Sequence, residues 1–256
     1  MGASFRRIVQ RVRAHGALLH SRRQPHNRLM NAAVPSQIVQ SSTDRLKITE
    51  IFLSLQGEAA SVGWPTVFVR LTGCPLRCQY CDTAYAFSGG EILSLDAIVE
   101  QIAAYKPRYV CVTGGEPLAQ PNCIPLLERL CDLGFEVSLE TSGALDVSAV
   151  DPRVSKVVDL KTPGSAEVGR NRYENMDFLT ANDQVKFVIC SREDYDWSVS
   201  KLIQYGLDRR AGEVLFSPSH KQVDARALAD WIVEDNLPVR LQLQLHKILW
   251  NDQPGH

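Results

Sequence analysis

Cys74-Pro75-Leu76-Arg77-Cys78-Gln79-Tyr80-Cys81 is the stretch on which the reading of this chain turns. Its C-x3-C-x2-C spacing puts three thiolates on one short loop. Each can hold one iron of a four-iron, four-sulfur cluster, which ordinarily takes four thiolates. A missing fourth thiolate leaves one iron open to a small molecule and suits a cluster that does chemistry. Plainer readings stand beside this one. Zinc sites usually close with four ligands, often as two spaced pairs, and no second C-x-x-C pair exists here. Cys111, Cys123, Cys131 and Cys190 are scattered among apolar residues and read as inert core thiols. An odd total of seven cysteines in 256 residues argues against a disulfide framework.

Working outward, Thr66 to Leu71 is β-branched and apolar and runs straight into the cysteine loop. Ser94 is placed to cap a helix carrying Leu95, Ile98, Val99 and Ile102 on one face. Further strands are expected at Tyr109–Val112, Phe135–Leu139, Lys156–Leu160, Gln184–Ile189, Glu213–Phe216 and Val239–Leu243. Helices are expected around Ile124–Leu130, from Ser191 through Leu202 with a Ser191/Asp194 capping box, and from Asp224 through Ile232. Strands alternating with helices predict parallel β/α units. The units are too few for eight, so the fold class is α/β, an incomplete TIM-like barrel. In such folds chemistry gathers at the carboxyl ends of strands. There lie the cysteines, Thr113-Gly114-Gly115-Glu116-Pro117, Glu140-Thr141-Ser142-Gly143, Asp159-Leu160-Lys161 and Ser217-Pro218-Ser219-His220.

Composition is that of an ordinary globular protein. A net charge of −1 makes no case for stable nucleic-acid or membrane-surface binding, and no apolar run reaches the length of a membrane span. Unpaired cysteines fit a reducing compartment, and a cytoplasmic location is expected. Residues 1–44 read as a basic, disordered extension and 45–256 as one domain. Up to residue 43 there is no Asp or Glu, yet Arg6, Arg7, Arg11, Arg13, Arg22, Arg23 and Arg28 all occur. That composition also resembles an organelle transit peptide, and a translation start at Met30 is a further alternative.

The cysteine loop together with Gly114-Gly115-Glu116-Pro117 resembles the radical S-adenosylmethionine (SAM) superfamily. Leu55-Gln56-Gly57-Glu58, Gly63-x-Pro65-x-x-Phe68-x-Arg70-Leu71-x-Gly73-Cys74, Cys81-Asp82-Thr83 and Leu243-Gln244-Leu245-His246-Lys247 are similar to the 7-carboxy-7-deazaguanine synthases. The resemblance covers roughly residues 47–250 and implies a partial barrel of the radical SAM type. It implies a lyase that converts 6-carboxy-5,6,7,8-tetrahydropterin to 7-carboxy-7-deazaguanine with loss of ammonia, in queuosine and deazapurine biosynthesis. The implied cofactors are a 4Fe-4S cluster on Cys74, Cys78 and Cys81, SAM, and Mg²⁺ at Thr83. SAM is expected against Tyr80, Cys81, Asp82, Gly115, Glu116, Ser142, Asp159, Lys161, Ser217 and Ser219. The pterin is expected against Leu55, Gln56, Gly57, Glu58, Arg70 and Thr113. Arg70 alternates with Val69 and Leu71, so it shares a strand face with Phe68 and needs a partner. A substrate carboxylate bound bidentately is one solution, and a structural salt bridge is the other. A flavodoxin- or ferredoxin-type reductant and a homodimer are also implied. An activating enzyme for a glycyl-radical protein shares the cysteine spacing but leaves Gln56, Glu58 and Arg70 unexplained.

Overall fold

The computed structural model describes residues 44–251 and Gln253, so the expectation for the basic extension falls outside it, Asp44 apart. Nine strands form one sheet: β1 (Arg45–Leu55), β2 (Pro65–Leu71), β3 (Glu91–Ser94), β4 (Tyr109–Gly114), β5 (Glu136–Thr141), β6 (Ser155–Asp159), β7 (Gln184–Ile189), β8 (Glu213–Pro218) and β9 (Arg240–Leu241). Their order is β3-β1-β2-β4-β5-β6-β7-β8-β9. From β2 onward every neighbouring pair is parallel. The two edge strands do not pair, so the barrel stays open. Among the described residues no helix is long and apolar enough to cross a membrane.

Helices α1 (Leu95–Ala104), α2 (Cys123–Asp132), α3 (Arg192–Tyr205), α4 (Leu207–Arg210) and α5 (Ala225–Glu234) accompany the sheet, and α6 (Leu245–Trp250) follows β9. Their apolar faces meet one face of the strands. Val67, Val69 and Leu71 of β2 join Val110, Val112, Leu139, Ile98, Ile102, Leu126 and Leu130 in one core. Val185, Phe187 and Ile189 of β7 join Val214, Phe216, Tyr195, Leu202 and Leu228 in a second. Because side chains alternate along a strand, the residues between these point to the other face. There the polar groups collect.

Some expectations need correction. β1 and β3 were not foreseen as strands, and both β1 pairings are antiparallel. Two parallel crossovers carry no α-helix. Residues 142–154 are irregular, and residues 160–183 hold only the 3₁₀ turns Pro163–Ser165, Val168–Arg170 and Tyr173–Phe178. β9 is two residues long rather than five. Beyond it one more bond, Gln242 N to Phe216 O at 2.9 Å, continues the pairing before the chain turns into α6. The capping box is half formed. Ser191 Oγ accepts from Asp194 N at 3.3 Å, but the Asp194 carboxylate reaches Cys190 N, Gly164 N and Thr162 Oγ1 instead of Ser191 N.

Candidate active site

A cavity of about 700 Å³ opens at the carboxyl ends of the parallel strands. Each of the six parallel strands β2 and β4 to β8 contributes at least one polar side chain to its wall: Arg70 (β2), Thr113 (β4), Glu140 (β5), Asp159 (β6), Lys186 (β7) and Ser217 (β8). Register aligns them, since Arg70 lies opposite Thr113 and Asp159 opposite Lys186. The alternation that buries Val69, Val112, Leu139, Val158, Val185 and Phe216 thus presents these neighbours to the cavity.

The cysteine loop closes one end. Cys74, Cys78 and Cys81 are free, partly buried and all line the cavity. Burial pushes the Cys74 and Cys78 thiols up. Leu76 N donates to Cys74 Sγ at 3.4 Å, and Arg77 Nη1 donates to Cys74 O at 2.8 Å while its guanidinium stacks 4.2 Å above the Phe87 ring. The Gly-Gly turn presses on this loop. Glu116 N donates to Gly73 O at 2.8 Å. A Cβ on Gly115 would lie 2.2 Å from Gly73 O and 2.9 Å from Cys74 Cβ, so only glycine allows the approach. Among the described residues no three His, Cys, Asp or Glu side chains are already gathered to hold a single metal ion. A cubane cluster asks for something else: its ligands bind separate irons, and three thiols spaced along one cavity wall suit it. No fourth cysteine lines that wall.

Residues expected to meet SAM lie beside the thiols. Tyr80, Cys81, Asp82, Gly115, Ser142, Asp159, Lys161, Ser217 and Ser219 all line the cavity. Lys161 Nζ donates to Asp159 Oδ2 at 2.9 Å. Burial opposes the Lys161 charge, but Asp159 outweighs it and raises the ammonium group above its ordinary value. Asp159 Oδ1 and Tyr80 Oη are buried without a hydrogen-bond partner. Such groups are costly unless something satisfies them, and both belong to residues that line the cavity. Glu116 stands apart. It is fully buried, does not line the cavity, and accepts from Leu118 N, Thr141 Oγ1, Ser142 N and Ser142 Oγ. Its carboxylate fixes the end of β5 and so the position of Ser142.

At the other end are Leu55, Gln56, Gly57, Glu58, Arg70 and Thr113, all lining the cavity. Gln56 Nε2 reaches Glu140 Oε1 at 3.4 Å and Thr113 Oγ1 donates to Glu140 Oε2 at 3.0 Å. Arg70 has its salt bridge, Nε to Glu50 Oε1 at 2.6 Å, and lies 5.9 Å from the Phe52 and Tyr85 ring centres. Lys186 was missed by the sequence reading and is central here. It forms an ion pair with Glu58 and is raised by Glu58, Asp159 and Glu140 against the pull of burial. Burial alone would raise Glu58, but Lys186 holds it below the usual carboxylate range. Glu140 goes the other way, raised by burial and by Glu58. α6 was missed too. It carries His246 and Lys247 to the cavity directly after Gln244, and Gln253 of the tail also lines it. A Cβ on Gly57 would lie 2.3 Å from His246 Nδ1. Thr83 lines the cavity and donates through Oγ1 to Asp82 Oδ1 at 2.9 Å. The only signal for Lys186 in the sequence was a lysine at the centre of an apolar strand.

Comparison with known proteins gives a consistent result. The family model of the radical SAM superfamily matches residues 68–217. The 7-carboxy-7-deazaguanine synthase of Koribacter versatilis is 44% identical over 222 residues, covering 81% of this chain and 98% of the relative. The enzyme of the same name from Chlorobaculum tepidum is 43% identical over 210 residues, with 80% and 94% covered. The crystal structure of QueE from Escherichia coli superposes with a TM-score of 0.65 at 24% identity, covering 79% of this chain and 95% of that one, a likeness of fold.

Proposed function

The chain belongs to the 7-carboxy-7-deazaguanine synthase family of the radical SAM superfamily, and on that premise we propose a role for each wall of its cavity. It is an enzyme, a carbon–nitrogen lyase that converts a pterin precursor to 7-carboxy-7-deazaguanine in queuosine biosynthesis. The observation that carries the assignment is the meeting of three free thiols and polar side chains from six parallel strands on one cavity. Cys74, Cys78 and Cys81 would hold a 4Fe-4S cluster whose fourth iron is left for SAM. When bound, the cluster and SAM would supply one-electron reductive chemistry that ends in hydrogen abstraction from the substrate carbon bearing the carboxylate.

The protein's part is to bind, orient and shield. Tyr80 Oη and Asp159 Oδ1 are the unpartnered donor and acceptor that would serve SAM, and Ser142, Ser217 and Ser219 line the same cavity. Gly115 keeps the backbone close, and Glu116 acts from behind by holding Ser142. The substrate is 6-carboxy-5,6,7,8-tetrahydropterin, which loses ammonia. Arg70 meets Glu50 through Nε, which leaves its Nη groups as a fork for the carboxylate. Gln56, Glu58 and Thr113, with the Gly57 backbone and Leu55, meet the pyrimidine edge. Thr83 Oγ1 would contact Mg²⁺, a hard cation that takes oxygen ligands and keeps several waters. Its donor proton is already given to Asp82, so its lone pairs are available. A flavodoxin- or ferredoxin-type reductant, a homodimer and a cytoplasmic location complete the proposal on family membership alone.

Anaerobic reconstitution tests the reading. Protein loaded with iron and sulfide should turn brown and, with reductant and SAM, form the deazaguanine from the carboxylated pterin, faster with Mg²⁺. An intact cluster that yields no product from that pterin overturns it.

A further inference from the structure

Asp82 sits between Cys81 of the cysteine loop and Thr83, and both its oxygens are engaged. Oδ1 accepts from Thr83 Oγ1 at 2.9 Å; Oδ2 accepts from Lys247 Nζ at 3.0 Å and from Gln244 Nε2 at 3.5 Å. The lysine comes from α6, far along the chain, and its side chain is 11% exposed against 52% for Asp82. Its position is set by the substrate end of the cavity. Leu245 N donates to Gly57 O at 3.0 Å, and Gln244 Nε2 donates to Glu58 Oε1 at 2.9 Å. Nothing in the roles assigned above requires a lysine on Asp82.

A carboxylate is a stronger ligand for a hard cation than a neutral hydroxyl. Left to itself, Asp82 would draw a divalent ion directly, whether or not substrate were present. Lys247 occupies the free oxygen and cancels the charge, so the carboxylate serves only to orient Thr83. Partners of this kind, one bond removed from the ion, tune a metal site strongly. We infer that Lys247 is a positioning residue that makes divalent-cation binding at Thr83 conditional on substrate: with Asp82 held back, the hydroxyl alone is too weak, and the pterin carboxylate must complete the site. This rests on the reading of Thr83 as the cation contact and adds a reason for the lysine.

The test uses the full chain, reconstituted with an oxidised, diamagnetic cluster and SAM. Mn²⁺ is titrated with and without 6-carboxy-5,6,7,8-tetrahydropterin while free Mn²⁺ is followed by electron paramagnetic resonance. Wild type should bind Mn²⁺ well only with the pterin. Lys247→Met should tighten pterin-free binding about tenfold, a gain that simple loosening of the fold cannot produce. Adding Asp82→Asn should abolish the gain, and Lys247→Arg should restore wild-type behaviour. Lys247→Gln replaces Lys247→Met if the latter takes up no iron. Unchanged or weaker pterin-free binding in Lys247→Met or Lys247→Gln overturns the inference alone, provided Thr83→Ala weakens Mn²⁺ binding in the pterin complex. Thr83→Ala without effect there overturns the cation site and this role of Lys247 with it.

Discussion

Glu140 and Lys186 share one small volume with Glu58, and their charges decide how this site behaves with pH. Glu140 is raised above its ordinary 4.5 by burial and by Glu58, so the folded chain holds that proton more tightly than the unfolded chain does. Its contribution costs nothing below the unfolded value and grows less favourable as pH rises from there through the folded value. Glu58, held down by Lys186 against burial, does the reverse: its stabilisation is present above 4.5 and is lost on acidification below it. Glu140→Gln should therefore gain stability relative to wild type as pH rises from about 4.5, read from urea midpoints. A constant difference across about pH 4 to 8 would refute this. Lys186→Met leaves two buried carboxylates without their cation and should cost about 3 kcal/mol in the same assay at neutral pH. A loss within experimental error would mean that the ion pair with Glu58 is incidental. Arg70 was readable as a charge needing a partner because it broke an apolar strand. Lys186 broke one equally and went unread, because its partner Glu58 lies 128 positions away and only folding joins them.

Among the elements, the Gly-Gly turn after β4 and the cysteine loop after β2 behave as one unit, because parallel pairing sets Leu71 opposite Gly114. Gly115→Ala forces a Cβ onto backbone atoms that cannot rotate away. It should cost at least about 2 kcal/mol and lower iron incorporation after anaerobic reconstitution. Ser191→Ala is the contrast. Loss of the α3 cap should cost about 1 kcal/mol with iron content unchanged. Equal iron loss in both variants would show that any destabilisation suffices and that the turn has no special role. Caps and amphipathic faces were legible here because they are local: the Ser94 cap, the Ser191 half of its capping box and the Leu95/Ile98/Ile102 face are all present. The 3₁₀ turns of residues 160–183 were not, because Asn175, Asp183 and Asp194 hold them through side-chain bonds to distant backbone.

At the level of the whole molecule, parallel strand order followed from strand–helix alternation, and the site's position followed from the strand ends. The antiparallel start did not, because β1 carries Arg45, Lys47 and Thr49 among its apolar residues and pairs with β3 across an intervening strand and loop. α6 went unread since its helical pattern is a single short turn-and-a-half tied to Gly57 and Asp82, far back in the chain. Ending the chain after Leu243 removes Gln244 from Glu58 and Lys247 from Asp82. The Michaelis constant for the pterin should rise about tenfold, the worth of one or two hydrogen bonds, while iron content is retained. An unaltered Michaelis constant would exclude this segment from the substrate end.

Every second residue of six strands looks inward, and this makes the catalytic wall intolerant of one kind of genetic change. Losing a single codon inside β7 would rotate Val185 or Phe187 to the position of Lys186 and bury the ammonium in oil. The same loss at an exposed position between Val147 and Val150, where no strand keeps count, would leave the strand pattern in step. A codon lost from a connector should therefore be borne more easily than one lost from a strand, which tolerates change chiefly by substitution.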